Sequence, residues 1–445
     1  MKDLIRLCTA CLACLYGAAW AADGDLDPTF SSDGQALVSW PYSISTARVA
    51  VATDGSIFHG DTEAREDGSE FNLDFAISKF RSDGSLDTTF GFFGQRSIGF
   101  DVIADGSDSL LGMFPQANGS VLLAGRVQMD SEAFGFRAPG LIRLTAEGDA
   151  DTSFGDNGRS VLVETPWPPP TGIQMNAVAR QSDGKIVFAG ICFDCEGLRY
   201  VLAVRLLENG DADLSFGMNG WFGLATDDNV DISAIALDAW GRIVLGGSAE
   251  MDADPDDRPW LMRLTPSGQP DATFGDGTGI SFLAGVPSFS NDWFTRSLAI
   301  DSDGSIVLAL GNGGAGIVRT RADGSLDTSF ADNGFRNMER ENGSDMRAVA
   351  IRGDHRIIAA GGIDHTGGNY DQFIARLLPD GTLDTDFAGN GLLRINMIAG
   401  ADDSASAIAF DAGRPVVAGR GGVDIDTGTL LRLQSDLIFA NGCGD

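Results

Sequence analysis

Apolar residues in this chain come in short runs that alternate with polar ones, and each run ends at a cluster of Gly, Asp, Asn or Ser. One stretch shows four in succession: MNAVARQS at 175–182, KIVFAGI at 185–191, YVLAVRLL at 200–207 and GWFGLAT at 220–226. Runs of this length with a period of two read as strands, and no window carries the helical period. Asp-Gly or Asn-Gly pairs at 54–55, 118–119, 183–184 and 303–304 separate the first two runs of a unit. They predict β-hairpins with two-residue turns and positive φ in the turn.

The four-run unit recurs. Phe30, Phe90, Phe154, Phe216, Phe274, Phe330, Phe387 and, in degraded form, Phe439 anchor one motif, as in DGSLDTTFGFFG at 83–94 and DGSLDTSFADNG at 323–334. The eight anchors, about 60 residues apart, bound seven units, and self-similarity at a fixed period marks a repeat array. Four antiparallel strands repeated seven times predict an all-β, seven-bladed β-propeller. A parallel β-helix would have shorter coils without tight hairpins, and separate sandwiches would need about 100 residues each. The chain begins inside a unit, with QALVSW at 35–40, and its last unit supplies three runs, near 404–411, 414–420 and 429–434. Residues 35–40 are therefore expected to complete the last blade as its outer strand, which closes the ring. Residues 22–442 then form one propeller domain with a short tail, 443–445.

Within the motif, Asp stands three residues before every anchor Phe: Asp27, Asp87, Asp151, Asp213, Asp271, Asp327, Asp384 and Asp436. Asp-Thr/Ser-x-Phe suits one helical turn with the carboxylate capping its free N–H groups, and the Phe plugs apolar space beside the blade. Eleven residues before Phe, on the third strand, sits a cation: Lys79, Arg143, Arg205, Arg263, Arg319 and Arg376, with Arg432 equivalent in the short last unit. A cation on a strand covered on both faces needs a partner. Asp27, Asp87, Asp151, Asp213, Asp271, Asp327 and Asp384 are the expected partners in a repeated structural ion pair.

The text SDGKIVFAG at 182–190, FIARLLPDGTLDTDFAGNG at 373–391 and ISKFRSDGSLDTTFGFFG at 77–94 resembles the bacterial delta-60 repeat family. The resemblance covers nearly all of 24–442 and implies a β-propeller in a secreted or envelope protein. It carries over no catalytic residue. RGDHR at 352–356, which replaces the Asp-Gly turn, and SDLIFANG at 435–442 depart from the pattern.

Composition adds the compartment. MKDLIR, the apolar run LCTACLACLYGAAW and Ala19-Trp20-Ala21 form an export signal over residues 1–21, too short in its apolar part for a span of about 20 residues. The formal net charge is −32, and removal of the signal takes Lys2 and Arg6 with Asp3, so the mature chain stays strongly acidic. Such a surface repels nucleic acid and anionic lipid. Three cysteines follow the signal: Cys192, Cys195 and Cys443. CFDC at 192–195 lacks the second pair that zinc needs and the helix start of a redox motif, so after export a local disulfide is expected. Cys443 is then odd.

Function is expected on the face carrying the variable loops, at 60–72, 164–172, 248–260 and 284–293, because a rigid scaffold displays binding residues on loops. Trp167, Trp260, Phe289 and Trp293 are candidates for an aromatic platform for a sugar or peptide, although capping of blade ends is the simpler role for such rings. Asp252, Asp254 and Asp256 have the spacing that opens a calcium loop, but Asp257 stands where Gly is needed and Arg263 where the bidentate Glu is needed. A solvated acidic loop fits better, and no cofactor is expected. The three histidines are scattered over different units, and there is no G-x-S-x-G, H-E-x-x-H or P-loop. These features favour an exported, monomeric binding or scaffold propeller for an extracellular or envelope protein or glycan. A hydrolase or lyase acting on a polymer in the channel and a purely structural envelope protein are the alternatives.

Overall fold

The computed structural model describes residues 24–40, 47–64, 73–103, 106–130, 135–165, 171–195, 197–226, 229–251, 254–286, 294–311, 314–338, 344–365, 369–422 and 427–435. Among these residues every regular element is a strand and none is a helix. β1 (Gln35–Ser39) precedes a first set, β2 (Arg48–Val51), β3 (Ile57–Ala64), β4 (Leu73–Phe80) and β5 (Gln95–Ile98). The second set is β6 (Asp108–Pro115), β7 (Val121–Gln128), β8 (Arg137–Leu144) and β9 (Arg159–Val161), and the third β10 (Thr171–Arg180), β11 (Ile186–Cys195), β12 (Leu198–Leu206) and β13 (Trp221–Thr226). The fourth is β14 (Asn229–Leu237), β15 (Ile243–Met251), β16 (Asp254–Leu264) and β17 (Ile280–Phe282). The fifth is β18 (Phe294–Ile300), β19 (Ile306–Gly311), β20 (Gly316–Thr320) and β21 (Phe335–Asn337). The sixth is β22 (Asp345–Ile351), β23 (Ile357–His365), β24 (Asn369–Leu377) and β25 (Leu392–Ile395), followed by β26 (Asp402–Asp411), β27 (Arg414–Gly422) and β28 (Thr427–Arg432).

Each set pairs antiparallel in chain order, and a single parallel bridge, Gln174 to Arg137, joins the second and third sets into one eight-stranded sheet. The last three strands take β1 as their fourth, with Gln35 opposite Leu431 and Ser39 opposite Thr427. The first strands lie side by side: β2 by β6, then β10, β14, β18, β22 and β26, with β26 again beside β2. Apolar clusters fill the space between neighbouring sets. One joins Val187, Ala189 and Phe216 to Ile243, Leu245, Trp260 and Met262.

The hairpin turns differ from the expected two-residue form. Gly55 N–H donates to Ala52 O at 3.0 Å and Ala52 N–H to Ser56 O at 2.8 Å, so a type I turn is followed by one left-handed residue. Gly55 takes φ 82°, and Asp54 caps the turn by accepting from Ser56 N–H at 2.9 Å. In RGDHR the left-handed place falls to His355, at φ 66°. The Asp-Thr/Ser-x-Phe segment forms the expected single turn, closed by Phe N–H donating to Asp O at 2.9–3.0 Å.

That turn is a lock between sets. One carboxylate oxygen of Asp27, Asp87, Asp151, Asp213, Asp271, Asp327 and Asp384 accepts the N–H two residues on, at 3.0–3.3 Å. The third-strand cation takes the carboxylate as well. The separations are 3.5 Å for Lys79–Asp87, 2.7 Å for Arg143–Asp151 and Arg319–Asp327, and 2.8 Å for Arg205–Asp213, Arg263–Asp271, Arg376–Asp384 and Arg432–Asp27. Each cation also lies over its motif Phe, 4.5–5.8 Å from the ring centroid. Cation–π attraction of this kind strengthens when desolvated. Arg205 then donates to Pro266 O, Arg263 to Ala322 O and Arg432 to Ser82 O, all in the following set. The neighbour's turn glycine completes the contact: a Cβ on Gly268 would lie 2.7 Å from the Phe216 ring, at φ +80°. Thus Asp, cation, Phe and Gly form one chemical unit, which explains why they recur together.

Candidate functional site

Six first strands carry a bulge at the same place, and the bulged residues are Leu111, Asn176, Ser233, Arg296, Arg347 and Ser406. The second strands make room for it. A Cβ on Gly190 would lie 1.9 Å from Gln174 O, and one on Gly247 1.7 Å from Asp231 O. A bulge re-aims a side chain, and here all six bulged residues line one cavity of about 580 Å³ between the first strands. The first set contributes Arg48 and the last Arg420 of β27, so four arginines, Arg48, Arg296, Arg347 and Arg420, converge with one lining carboxylate, Asp345. This is the reverse of the sign of the whole chain, −32.

Asp345 is engaged by Arg347, whose Nε donates to Oδ2 at 2.7 Å, and lies 3.9 Å from Arg296 Nε. Arg347 Nη1 donates to Ser404 Oγ at 3.0 Å, and Arg48 Nε to Leu111 O at 3.0 Å. Just behind the wall, Arg126 Nη1 donates to Asn176 Oδ1 at 3.2 Å. The buried Nε atoms of Arg126 and Arg420 have no hydrogen-bond acceptor. Burial pushes the Arg420 guanidinium below its ordinary pKa, Asp61 pulls it back up, and Arg347 pushes it further down. Burial likewise lowers Arg126, with Arg137 and Arg48 adding repulsion. Burial raises the Asp231 carboxyl, against the backbone bond to Ile232 and the charges of Arg296 and Arg199. Crowded, desolvated guanidinium groups beside a cavity attract an anion.

The sequence candidates lie elsewhere. Trp167, Phe289 and Trp293 fall outside the described residues. Trp260 is only 2% exposed, and its Nε1 donates to Ser248 O at 3.1 Å, so it packs and offers no platform. Asp252 is outside the described residues. Asp254 and Asp256 stand on β16, which pairs with β15 from Met251–Asp254 onward. An alternating acidic triplet is also the period of a strand. Among the described residues no group of His, Cys, Asp or Glu is placed to hold a metal ion, and no helix is long and apolar enough to cross a membrane. Cys192 and Cys195 form a disulfide at the end of β11; Cys443 lies outside the described residues. None of the Asp-paired cations of the lock lines the cavity. The channel arginines were missed. Alignment of the units marks them as departures from the repeat without placing them on the cavity: Arg296 and Arg347 stand where other units hold Asn176, Ser233 or Ser406, and Arg126 and Arg420 follow Ala-Gly where others have Ile191 or Ser248.

Four-stranded antiparallel sheets arrayed by repeat, with their first strands flanking a central cavity, define a β-propeller. Residues 68–90, 116–154, 181–216, 241–274, 302–330 and 353–387 match the family described as "Domain of unknown function (DUF5122) beta-propeller". No curated protein matches the chain. Among solved structures, the chain is similar to a polysaccharide lyase, an ulvan lyase bound to a GlcA–Rha3S chain, at 13% identity and TM-score 0.45, covering 95% of this chain and 99% of that one. It is also similar to a Hadza microbial sialidase at 10% identity and TM-score 0.47, covering 89% and 67%. A Trypanosoma rangeli sialidase follows at 7% identity and TM-score 0.42, covering 92% and 61%.

Proposed function

We propose that this chain is an exported, seven-bladed propeller of the delta-60 type, closed by residues 35–39 on the last blade, and that it binds an anionic ligand in its central channel. The carrying observation is the convergence of Arg48, Arg296, Arg347 and Arg420 on one cavity, with the Arg420 Nε buried and without an acceptor. Export follows from the signal over residues 1–21. A carboxylate or sulfate group would relieve the repulsion between neighbouring guanidinium groups. The acidic exterior then confines anion binding to the channel and excludes nucleic acid.

Thermal unfolding with glucuronate, sulfate or neutral glucose tests this reading. A ligand at 100 times its Kd stabilises by about 2.7 kcal/mol. Glucuronate or sulfate is expected to raise the midpoint, glucose to leave it, and Arg420→Gln to abolish the rise. No rise with any anion, or an equal rise in Arg420→Gln, overturns it. A second reading, a hydrolase or lyase acting at the edge of the channel, draws on Asp231, which lines the adjoining cavity, accepts from the channel residue Asn176 and has a raised pKa that suits a general acid. Release of new reducing ends from a uronate polymer by the wild type, lost in Asp231→Asn, would decide for it.

A further inference from the structure

Beside the channel, on the side carrying the second-to-third loops, lies a cavity of about 290 Å³ lined in part by Phe193, Phe294, Arg199, Asn229 and Asp231. Its size, near the lower end of the roughly 300–1,000 Å³ of small-molecule sites, suits one ring. We infer that it is a second subsite, which takes a neutral sugar ring linked to an anionic residue held in the channel; this rests on the channel reading above.

Four observations carry it. The two cavities adjoin: Asn176, which lines the channel, donates from Nδ2 to Asp231 Oδ1 at 3.4 Å, and Asp231 lines the smaller cavity. Two aromatic side chains contribute apolar surface for the C–H face of a sugar ring, and Phe193 is 37% exposed although it sits between the cysteines of the disulfide. The disulfide and the guanidinium of Arg199, 5.0 Å from the Phe193 ring centroid, fix the ring in place. Finally, the charge differs from the channel. Arg199 and Asp231 offset each other in this lining, and Arg199 is held by Asn229 and by Val230 O, at 3.2 Å, whereas the channel sets four arginines against one carboxylate. The Asp231 side chain accepts from sugar hydroxyls, and a lining whose charges offset gives a second anion nothing to gain. The pair of cavities therefore selects a glycan in which a uronate neighbours a neutral ring, over a uniformly charged polymer.

Calorimetric titration with glucuronate, a hyaluronan tetrasaccharide (alternating uronate and neutral rings), trigalacturonate and hexaglutamate tests this. The tetrasaccharide is expected to bind at least about tenfold tighter than glucuronate, equivalent to about 1.4 kcal/mol. Phe193→Ala should bring it down to the affinity of glucuronate, and trigalacturonate should show no comparable gain. A tetrasaccharide no tighter than glucuronate, or a gain that survives Phe193→Ala, overturns the subsite while leaving the channel standing. Tighter binding of trigalacturonate or hexaglutamate overturns the ligand class. Failure of glucuronate itself to bind counts against the channel instead.

Discussion

Neutralising a single carboxylate of the repeated lock should destabilise the protein in a way that pH reads out. Asp213 is 6% exposed and Arg205 5% exposed. Burial pushes the Asp213 carboxyl up, but hydrogen bonds from the Ser215 hydroxyl and N–H and the cations Lys185 and Arg205 outweigh it, and its pKa falls to about 2. Against an ordinary value near 3.9, this makes the ionised form worth about 2–3 kcal/mol to the folded state. Asp213→Asn also strands Arg205, 2.8 Å away, and Lys185, 3.2 Å away; breaking a buried pair from one side costs about 3–5 kcal/mol. The expected loss at pH 7 therefore lies between about 2 and 5 kcal/mol. Because the folded pKa is depressed, the contribution is complete above the unfolded pKa and drains away as pH falls through the folded one. The gap between wild type and variant should shrink by about 1 kcal/mol by pH 3. Urea unfolding followed by circular dichroism at pH 7 and pH 3 measures it. A double cycle with Arg205→Met should show the paired loss to be smaller than the sum of the single ones. A loss below about 0.5 kcal/mol at pH 7, the ordinary scatter of surface substitutions, would refute the lock, and so would a gap that does not change with pH.

Three further outcomes follow from the same geometry. Gly268→Ala should cost clearly more than Gly197→Ala in urea unfolding: both sites have positive φ, worth about 1–2 kcal/mol, but only Gly268 would strike a neighbour, the Phe216 ring, while Gly197 has nothing within 4 Å. Asp108, pushed up to about 7 chiefly by burial, with Asp74 adding to the rise and the Phe100 N–H opposing it, penalises folding as pH rises from the unfolded pKa through the folded one. Asp108→Asn should accordingly gain on wild type by about 4 kcal/mol between pH 4 and pH 8. Arg420→Gln should change the stability of the ligand-free protein by no more than about 1 kcal/mol, since relief of a desolvated charge with no carboxylate bonded to it offsets the lost attraction to Asp61; a larger loss in urea unfolding would mean that Arg420 is a structural residue.

The repeated lock was legible because its parts need one another. A buried cation requires a carboxylate, so Arg263 and Asp271 could be paired from spacing alone, and the stranded QALVSW run could be assigned to the sheet that lacked a fourth strand. The stacking of each cation on its Phe was not, because spacing does not tell a side chain's direction across a turn. The channel was hidden by the bulges. In TRSLAI and MRAVAI the alternation reads Arg as an ordinary polar position, and only the extra residue in the strand places Arg296 and Arg347 on the cavity. Trp260 misled because a Trp next to an acidic stretch looks like a loop ring, whereas β15 and β16 pair almost to their shared turn and bury it.

The central claim is that anions are recognised inside the ring, by arginines set on bulged first strands. A crystal structure grown with glucuronate tests it most directly. The account predicts one ligand whose carboxylate contacts Arg347 and Arg420, inside seven blades with residues 35–39 paired to 427–431. A carboxylate bound on the outer loops, with the channel arginines contacting only water, would contradict it.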